Sequence, residues 1–141
     1  MTTEELRAII AGSRNGILAT VGRDATPQLS NIYYLADPHV RFIRFSTTTT
    51  RTKGRNLLRT PRASLHVAGE DFFHYAVVEG ATTFAIASSS DGVAIDELFE
   101  VHSALGAVSD REGFGEAMVA AGRMLVQLEV VRLYGFVRNH S

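Results

Sequence analysis

Apolar positions recur at two different periods along the chain, and they divide it into helix-like and strand-like stretches. Leu6, Ile9 and Ile10 lie at helical spacing behind Thr3, which predicts a first helix capped by that threonine. Glu4 and Glu5 fall in its first turn, where the helix macrodipole favours acids, and Gly12 should close it. After the Asn15-Gly16 turn signal, GILATVG, TPQLSNIYYLA and VRFIRFS read as three strands rich in β-branched and aromatic residues. Their separators, Gly22 to Asp24 and Asp37-Pro38-His39, are too short for a parallel crossover, so an antiparallel meander is expected. In VRFIRFS, Val40, Phe42 and Phe45 do not share one face of a regular strand, which predicts a bulge or burial on both faces.

A short helix is expected from Arg51 to Arg59, stopped at Thr60-Pro61 because the residue before proline disfavours helix. RASLHVAG and HYAVVEGATTFAI follow as strands, with Gly80 marking a bulge or sharp bend of the kind used at barrel corners. Ser88, Ser89 and Ser90 form a polar loop before Asp91, the expected N-cap of a helix with Ile95, Leu98, Phe99 and Leu105 on one side, closed by Gly106. Another helix is expected over Glu112 to Ala121, and RMLVQLEVVRLYGFVR supplies one long last strand. Six strands with short flanking helices predict a mainly β (α+β) fold, a small closed or nearly closed antiparallel barrel forming one domain over residues 1–141.

Composition narrows the function classes. The 141 residues, 45% of them hydrophobic, supply one core and leave no room for a second full domain. A formal net charge of −1 with mixed signs argues against bulk attraction to nucleic acid and against disorder. The absence of cysteine removes disulfides, a thiol nucleophile and cysteine-based metal sites. No apolar run approaches the ~20 residues that cross a bilayer. MTTEELRAII lacks a basic segment leading into a long apolar run, so a cytoplasmic location is expected. The terminal Asn139-His140-Ser141 fits a glycosylation sequon, which carries no weight in such a chain.

Against that near-neutral background, STTTTRTKGRNLLRT concentrates Arg51, Lys53, Arg55 and Arg59 within a few residues. The ordinary reading is a solvated charged face. If the chain is still extended at Arg51, however, residues 51 and 53 project together, beside the hydroxyls of Ser46 and Thr47 and the free amides of a helix start. Guanidinium, ammonium, hydroxyls and amides converging in this way suit a phosphate monoester. No P-loop or dinucleotide fingerprint is present. His39, His66, His74, His102 and His140 are scattered without metal-ligand spacing, and His66, in a strand, reads as a half-buried structural residue. The serines at 88 to 90 lack a nucleophile elbow. Asp96, Glu97 and Glu100 read as the solvated face of their helix. Tyr33, Tyr34 and Tyr75 lie in strands, where each serves a core, a dimer interface or a stacking surface for a planar ring.

Taken in order and spacing, PQLSNIYYL, STTTTRTKGRN, NLLRTPRASLHV and YAVVEG resemble the pyridoxamine 5′-phosphate oxidase-like (FMN-binding) split β-barrel superfamily. Within it they look like the actinobacterial deazaflavin (coenzyme F420)-dependent oxidoreductases, from about Gly16 to Gly135. The resemblance implies a homodimer of six-stranded split barrels with the coenzyme in a groove at the dimer interface. It places the coenzyme phosphate on an Arg-x-Lys pair, here Arg51 and Lys53, and puts Gln28, Ser30, Ser46, Thr47 and Asn56 along the same groove. Tyr75 and Ala76 would approach the ring from the other subunit, while Arg55 and Arg59 stay structural. Phe73 and His74 stand where relatives often carry tryptophan, a departure on the substrate side, and Thr60 stands where an acid often precedes the proline.

The implied activity is hydride transfer from reduced F420 to a conjugated small molecule such as a quinone, an unsaturated lactone or a tetrapyrrole, with both partners oriented and water excluded. Ser30, Tyr33 and water all qualify as proton donors, and none is singled out as catalytic. An FMN-dependent oxidoreductase shares the phosphate motif, and a module that holds F420 or haem without turnover is the reading from a different class. Neither a nucleic-acid partner nor a membrane span is expected.

Overall fold

A computed structural model describes residues 2–89, 92–108 and 110–137. Ser90, the expected cap Asp91 and the terminal sequon lie outside the described residues. In chain order the elements are α1 (Thr3–Ala11), β1 (Asn15–Val21), β2 (Pro27–Tyr33), β3 (Leu35–Ala36), β4 (Phe42–Thr48), α2 (Thr52–Arg59), β5 (Arg62–Ala68), β6 (Tyr75–Ile86), α3 (Gly92–Ala104), α4 (Phe114–Ala120), β7 (Arg123–Glu129) and β8 (Arg132–Phe136).

The strands pair in the order β2-β1-β5-β6-β7-β4-β3, all antiparallel, with β8 also on β6. Only Tyr34 separates β2 from β3, yet these two lie at opposite ends of the path. One stretch of chain therefore borders both ends of the sheet, which curls into a split barrel. Tyr34 makes the corner. It is fully buried, its amide donates to the Arg14 carbonyl, and its hydroxyl donates to the Ile10 carbonyl at 2.6 Å. Burial pushes the Tyr34 hydroxyl up to about 12, so it remains a donor.

Among the described residues the sheet has eight strands rather than six, because two long runs are broken. The first breaks at Tyr34; the second breaks between Glu129 and Arg132, opposite Gly80. The first half of β6 pairs with β8 and its second half with β7, and a Cβ on Gly80 would collide with the Glu129 carbonyl. The bend expected at Gly80 is thus a crossing of backbones that only glycine permits. The meander holds for β1 and β2, but β4 pairs with β3 and β7 instead of β2, since the chain changes ends of the sheet at Tyr34.

Other expectations are corrected locally. Val40 precedes β4 in a turn with φ 53°, and β4 keeps regular register with β7, so no bulge is needed. The cap of α1 is Thr2: its hydroxyl accepts from the Glu5 amide while the Glu5 carboxylate accepts from the Thr2 amide. Arg51 is the N-cap of α2 rather than its first residue. Gly113, at φ 72°, delays the start of α4 to Phe114, shortening the helix expected from Glu112.

Strand alternation sorts the apolar residues into two cores. Leu18, Phe45, Leu65, Val78, Val126 and Leu128 fill the barrel, with Ile10 of α1 and Leu57 of α2 packed against them. On the outer face of β7, Leu125 packs beneath Leu98 and Val101 of α3 and Phe114 of α4. Full burial of such a side chain is worth about 1.5–3 kcal/mol. This second layer positions the site, which lies at its edge. Among the described residues no helix is long and apolar enough to cross a membrane.

Candidate functional site

Three cations meet where the chain passes from β4 into α2. Arg51 is extended (φ −74°, ψ 154°), so Arg51 and Lys53 line one cavity of about 590 Å³ instead of diverging around a helix. Ser46 of β4, Asn31 and Tyr33 of β2, Arg123 at the start of β7, and His102 of α3 line it too. Gly54 sets how closely α2 approaches the strand: it is buried, and a Cβ there would collide with the Thr48 carbonyl. The Arg51 amide donates to the Thr48 hydroxyl at 3.2 Å, which fixes the turn. The wall behind His102 is held by Arg14, whose guanidinium donates to the Ala104 carbonyl at 2.5 Å.

The electrostatics are one-sided. Burial, then Arg51 and Arg123, hold the Lys53 ammonium below its ordinary pKa. Burial and Arg51 act on Arg123 in the same direction. Among the described residues none of these three cations forms an ion pair. By contrast Arg44, on the same face of β4 as Ser46, pairs with Glu100 of α3 at 2.8 Å. Like charges held together and partly desolvated destabilise one another until an anion arrives. Burial, then Arg123, also push His102 below the usual imidazole range, which favours its neutral form. Its Nε2 is buried and has no hydrogen-bond partner among the described residues, and its ring stands edge-on to Phe114 at 5.5 Å.

Of the residues singled out in the sequence, Ser46, Arg51 and Lys53 share this cavity. Thr47 does not line it: neighbours on a strand face opposite sides, and Thr47 points into the barrel, fully buried. Gln28 and Asn56 border a different groove, of about 440 Å³, together with Arg23, Arg55 and Arg59. Asn56 is committed to the fold. Its amide donates to the Thr20 hydroxyl at 3.1 Å, that hydroxyl donates to Gln28 Oε1 at 3.1 Å, and Gln28 Nε2 donates to Ser30 at 3.0 Å. Arg59 donates to Asn56 Oδ1 at 2.7 Å, so it does serve structure.

Elsewhere, His66 is exposed rather than half-buried, and its ring stacks on Tyr75 at 5.2 Å; Ala76 is buried. Among the described residues no histidine and carboxylate cluster has the arrangement of a metal site. Reading the sequence missed Arg123, His102 and Asn31 as neighbours of the basic cluster. Arg123 lies far downstream and arrives only through the pairing of β4 with β7, which sets it opposite Thr48. No local signal marks that pairing.

Residues 2–135 match the family described as pyridoxamine 5′-phosphate oxidase. A conserved hypothetical protein from Mycobacterium tuberculosis is 22% identical over 97% of this chain and 85% of its own, with a TM-score of 0.72. An F420 reductase is 22% identical over 90% of this chain and 94% of its own, with a TM-score of 0.65. A heme binding protein from Mycobacterium smegmatis is 27% identical over 92% of this chain, with a TM-score of 0.61; this chain spans 51% of that protein. At 22% identity the first two likenesses establish the fold alone.

Proposed function

Because the chain belongs to the pyridoxamine 5′-phosphate oxidase family, we propose that it is an F420-dependent oxidoreductase acting on a conjugated small-molecule acceptor. The observation that carries this reading is the cavity in which Arg51, Lys53 and Arg123 converge with no ion pair among the described residues. Such a cavity fits the phosphate end of a flavin-like coenzyme. Arg51, Lys53 and the Ser46 hydroxyl would hold that end through charge-assisted hydrogen bonds. Gln28, Ser30 and Asn56 contribute by fixing α2 against β1 and β2, so that Arg51 and Lys53 keep their direction. Tyr33, 70% exposed at the cavity, offers an aromatic face for a planar ring. When bound and reduced, F420 supplies the hydride; the chain's share is to bind, orient and exclude water.

The same reading includes a homodimer. The outer face of β2 and β1 exposes Leu29, Tyr33 and Ile17, and a second copy covering that face would enclose the coenzyme groove. FMN, whose phosphate is a monoester where that of F420 is a diester, also offers an anionic phosphate to these cations and is the alternative coenzyme. A second reading, a module that holds F420 or haem without turnover, is favoured by the likeness to the heme binding protein.

The test is a titration of the purified chain with oxidised F420, FMN and haem, separately and at one salt concentration. Tight binding of F420 alone supports the proposal and leads to turnover assays with its reduced form. Preference for FMN moves the activity to the flavin branch, and preference for haem favours the second reading. Binding of none of them overturns the functional reading and leaves the fold.

A further inference from the structure

We propose that Arg123 is a third anion-binding side chain of this cavity, and that it commits the site to a ligand whose end carries at least two negative charges. The inference rests on the reading above and specifies the ligand of the same site. Arg123 is half-buried, its guanidinium lies 3.5 Å from the Ser46 hydroxyl, and it lines the cavity with Arg51 and Lys53. Its position is built into the β4–α2 junction. The Thr49 amide donates to the Gly122 carbonyl at 2.9 Å, Gly122 takes φ 64°, and Thr48 pairs opposite Arg123. The turn that launches Arg51 is thereby fastened to the strand that begins with Arg123.

Charge counting gives the ligand class. One negative charge leaves two of three clustered cations uncompensated, whereas a doubly charged end leaves one. Arg44 shows that this face of β4 supplies an acid where the fold itself needs one, in Glu100; beside Arg123 the described residues supply none. His102 adds a hydrogen-bonding ring to the same wall, its Nε2 buried and without a partner among the described residues. Two sources share the required chemistry: the phosphomonoester dianion of FMN, and the phosphodiester of F420 together with a neighbouring carboxylate of its tail.

The experiment compares the full chain with Arg123→Gln and Arg123→Lys. Each is titrated by fluorescence with FMN, F420 and riboflavin, and by calorimetry with inorganic pyrophosphate, after thermal melting has confirmed folding. Arg123→Gln should weaken the binding of pyrophosphate and of the cognate coenzyme by roughly tenfold or more, the loss of one charge-assisted contact. It should leave riboflavin, which lacks the phosphate, unchanged, and Arg123→Lys should recover most of the loss. Whichever coenzyme shows the loss identifies the source of the two charges. Equal affinity of Arg123→Gln and the unaltered chain for pyrophosphate and both coenzymes would overturn the proposal. So would an equal loss for riboflavin, which would mark a structural role. If neither coenzyme binds but pyrophosphate does, in an Arg123-dependent way, the coenzyme reading falls and the anion site stands. If pyrophosphate does not bind either, both fall.

Discussion

The side-chain amide of Asn56, in α2, donates to the Thr20 hydroxyl of β1 across 3.1 Å, and both residues are buried. This contact, extended to Gln28 and Arg59, fixes the helix that carries Lys53. Asn56→Ala removes the shared partner of Thr20 and Arg59. It should lower stability in urea unfolding by about 1–3 kcal/mol, the cost of leaving buried polar groups unmatched. Coenzyme affinity should fall as well, although no direct ligand is removed. An unchanged unfolding midpoint would mean that α2 is held by packing of Leu57 alone.

Replacing both Arg51 and Lys53 by alanine should reduce coenzyme affinity by about two orders of magnitude, one for each charge-assisted contact. Thermal stability without ligand should hold or rise, because the substitution relieves repulsion among Arg51, Lys53 and Arg123. Fluorescence titration and a melt on the same sample check both halves. A large drop in melting temperature would place these cations in the fold rather than in the site.

Ser46 and Thr47 are adjacent and should respond oppositely. The Thr47 hydroxyl is buried in the barrel and has no hydrogen-bond partner among the described residues, so Thr47→Val should stabilise the chain by about 1 kcal/mol and leave binding untouched. Ser46→Ala should weaken coenzyme binding several-fold, by roughly the worth of one hydrogen bond, with little change in stability. The reverse pattern in paired binding and melting measurements would show that the two faces of β4 had been exchanged.

His102 gives the fold a pH dependence with a definite sign. Burial and Arg123 lower its folded-state pKa below the unfolded value of about 6.5. In the window between those two values the unfolded chain binds more protons. Stability contributed by the neutral imidazole is therefore present above about pH 6.5, declines as pH falls towards the folded pKa, and levels off below it. His102→Asn should flatten that slope in melts collected from roughly pH 5 to 8. Saturating pyrophosphate, by offsetting the charge of Arg123, should make the slope of the unaltered chain shallower.

Leu29 is 65% exposed on the outer face of β2, where the proposed second copy would lie. Leu29→Asp should yield a monomer in light scattering and weaker coenzyme binding, with the barrel intact by circular dichroism. A monomeric unaltered chain would remove the dimer from the proposal.

Much of the local structure is legible in the sequence because its causes are local. Pro61 stops α2, Gly80 marks the backbone crossing, and the Glu-rich start of α1 identifies the helix even though the cap is Thr2 rather than Thr3. The pairing of Arg51 with Lys53 is legible for the same reason: an extended residue followed by a helix start projects them together. Whether Ser46 or Thr47 faces the cavity is a different kind of question. Alternation says only that they face opposite ways, and the barrel interior decides which is which. The break at Tyr34 depends on a hydrogen bond to Ile10, which is distant in sequence, and that break separates β2 from β3. Arg123 reaches the basic cluster only through the β4–β7 register. What the sequence by itself determined was the helices, the runs of chain that form strands and the nearness of two cations, Arg51 and Lys53, through short-range spacing and backbone preference. Only the tertiary structure decided the order in which the strands pair and the third cation, because pairing register and the choice of buried face arise from contacts between residues far apart in the chain.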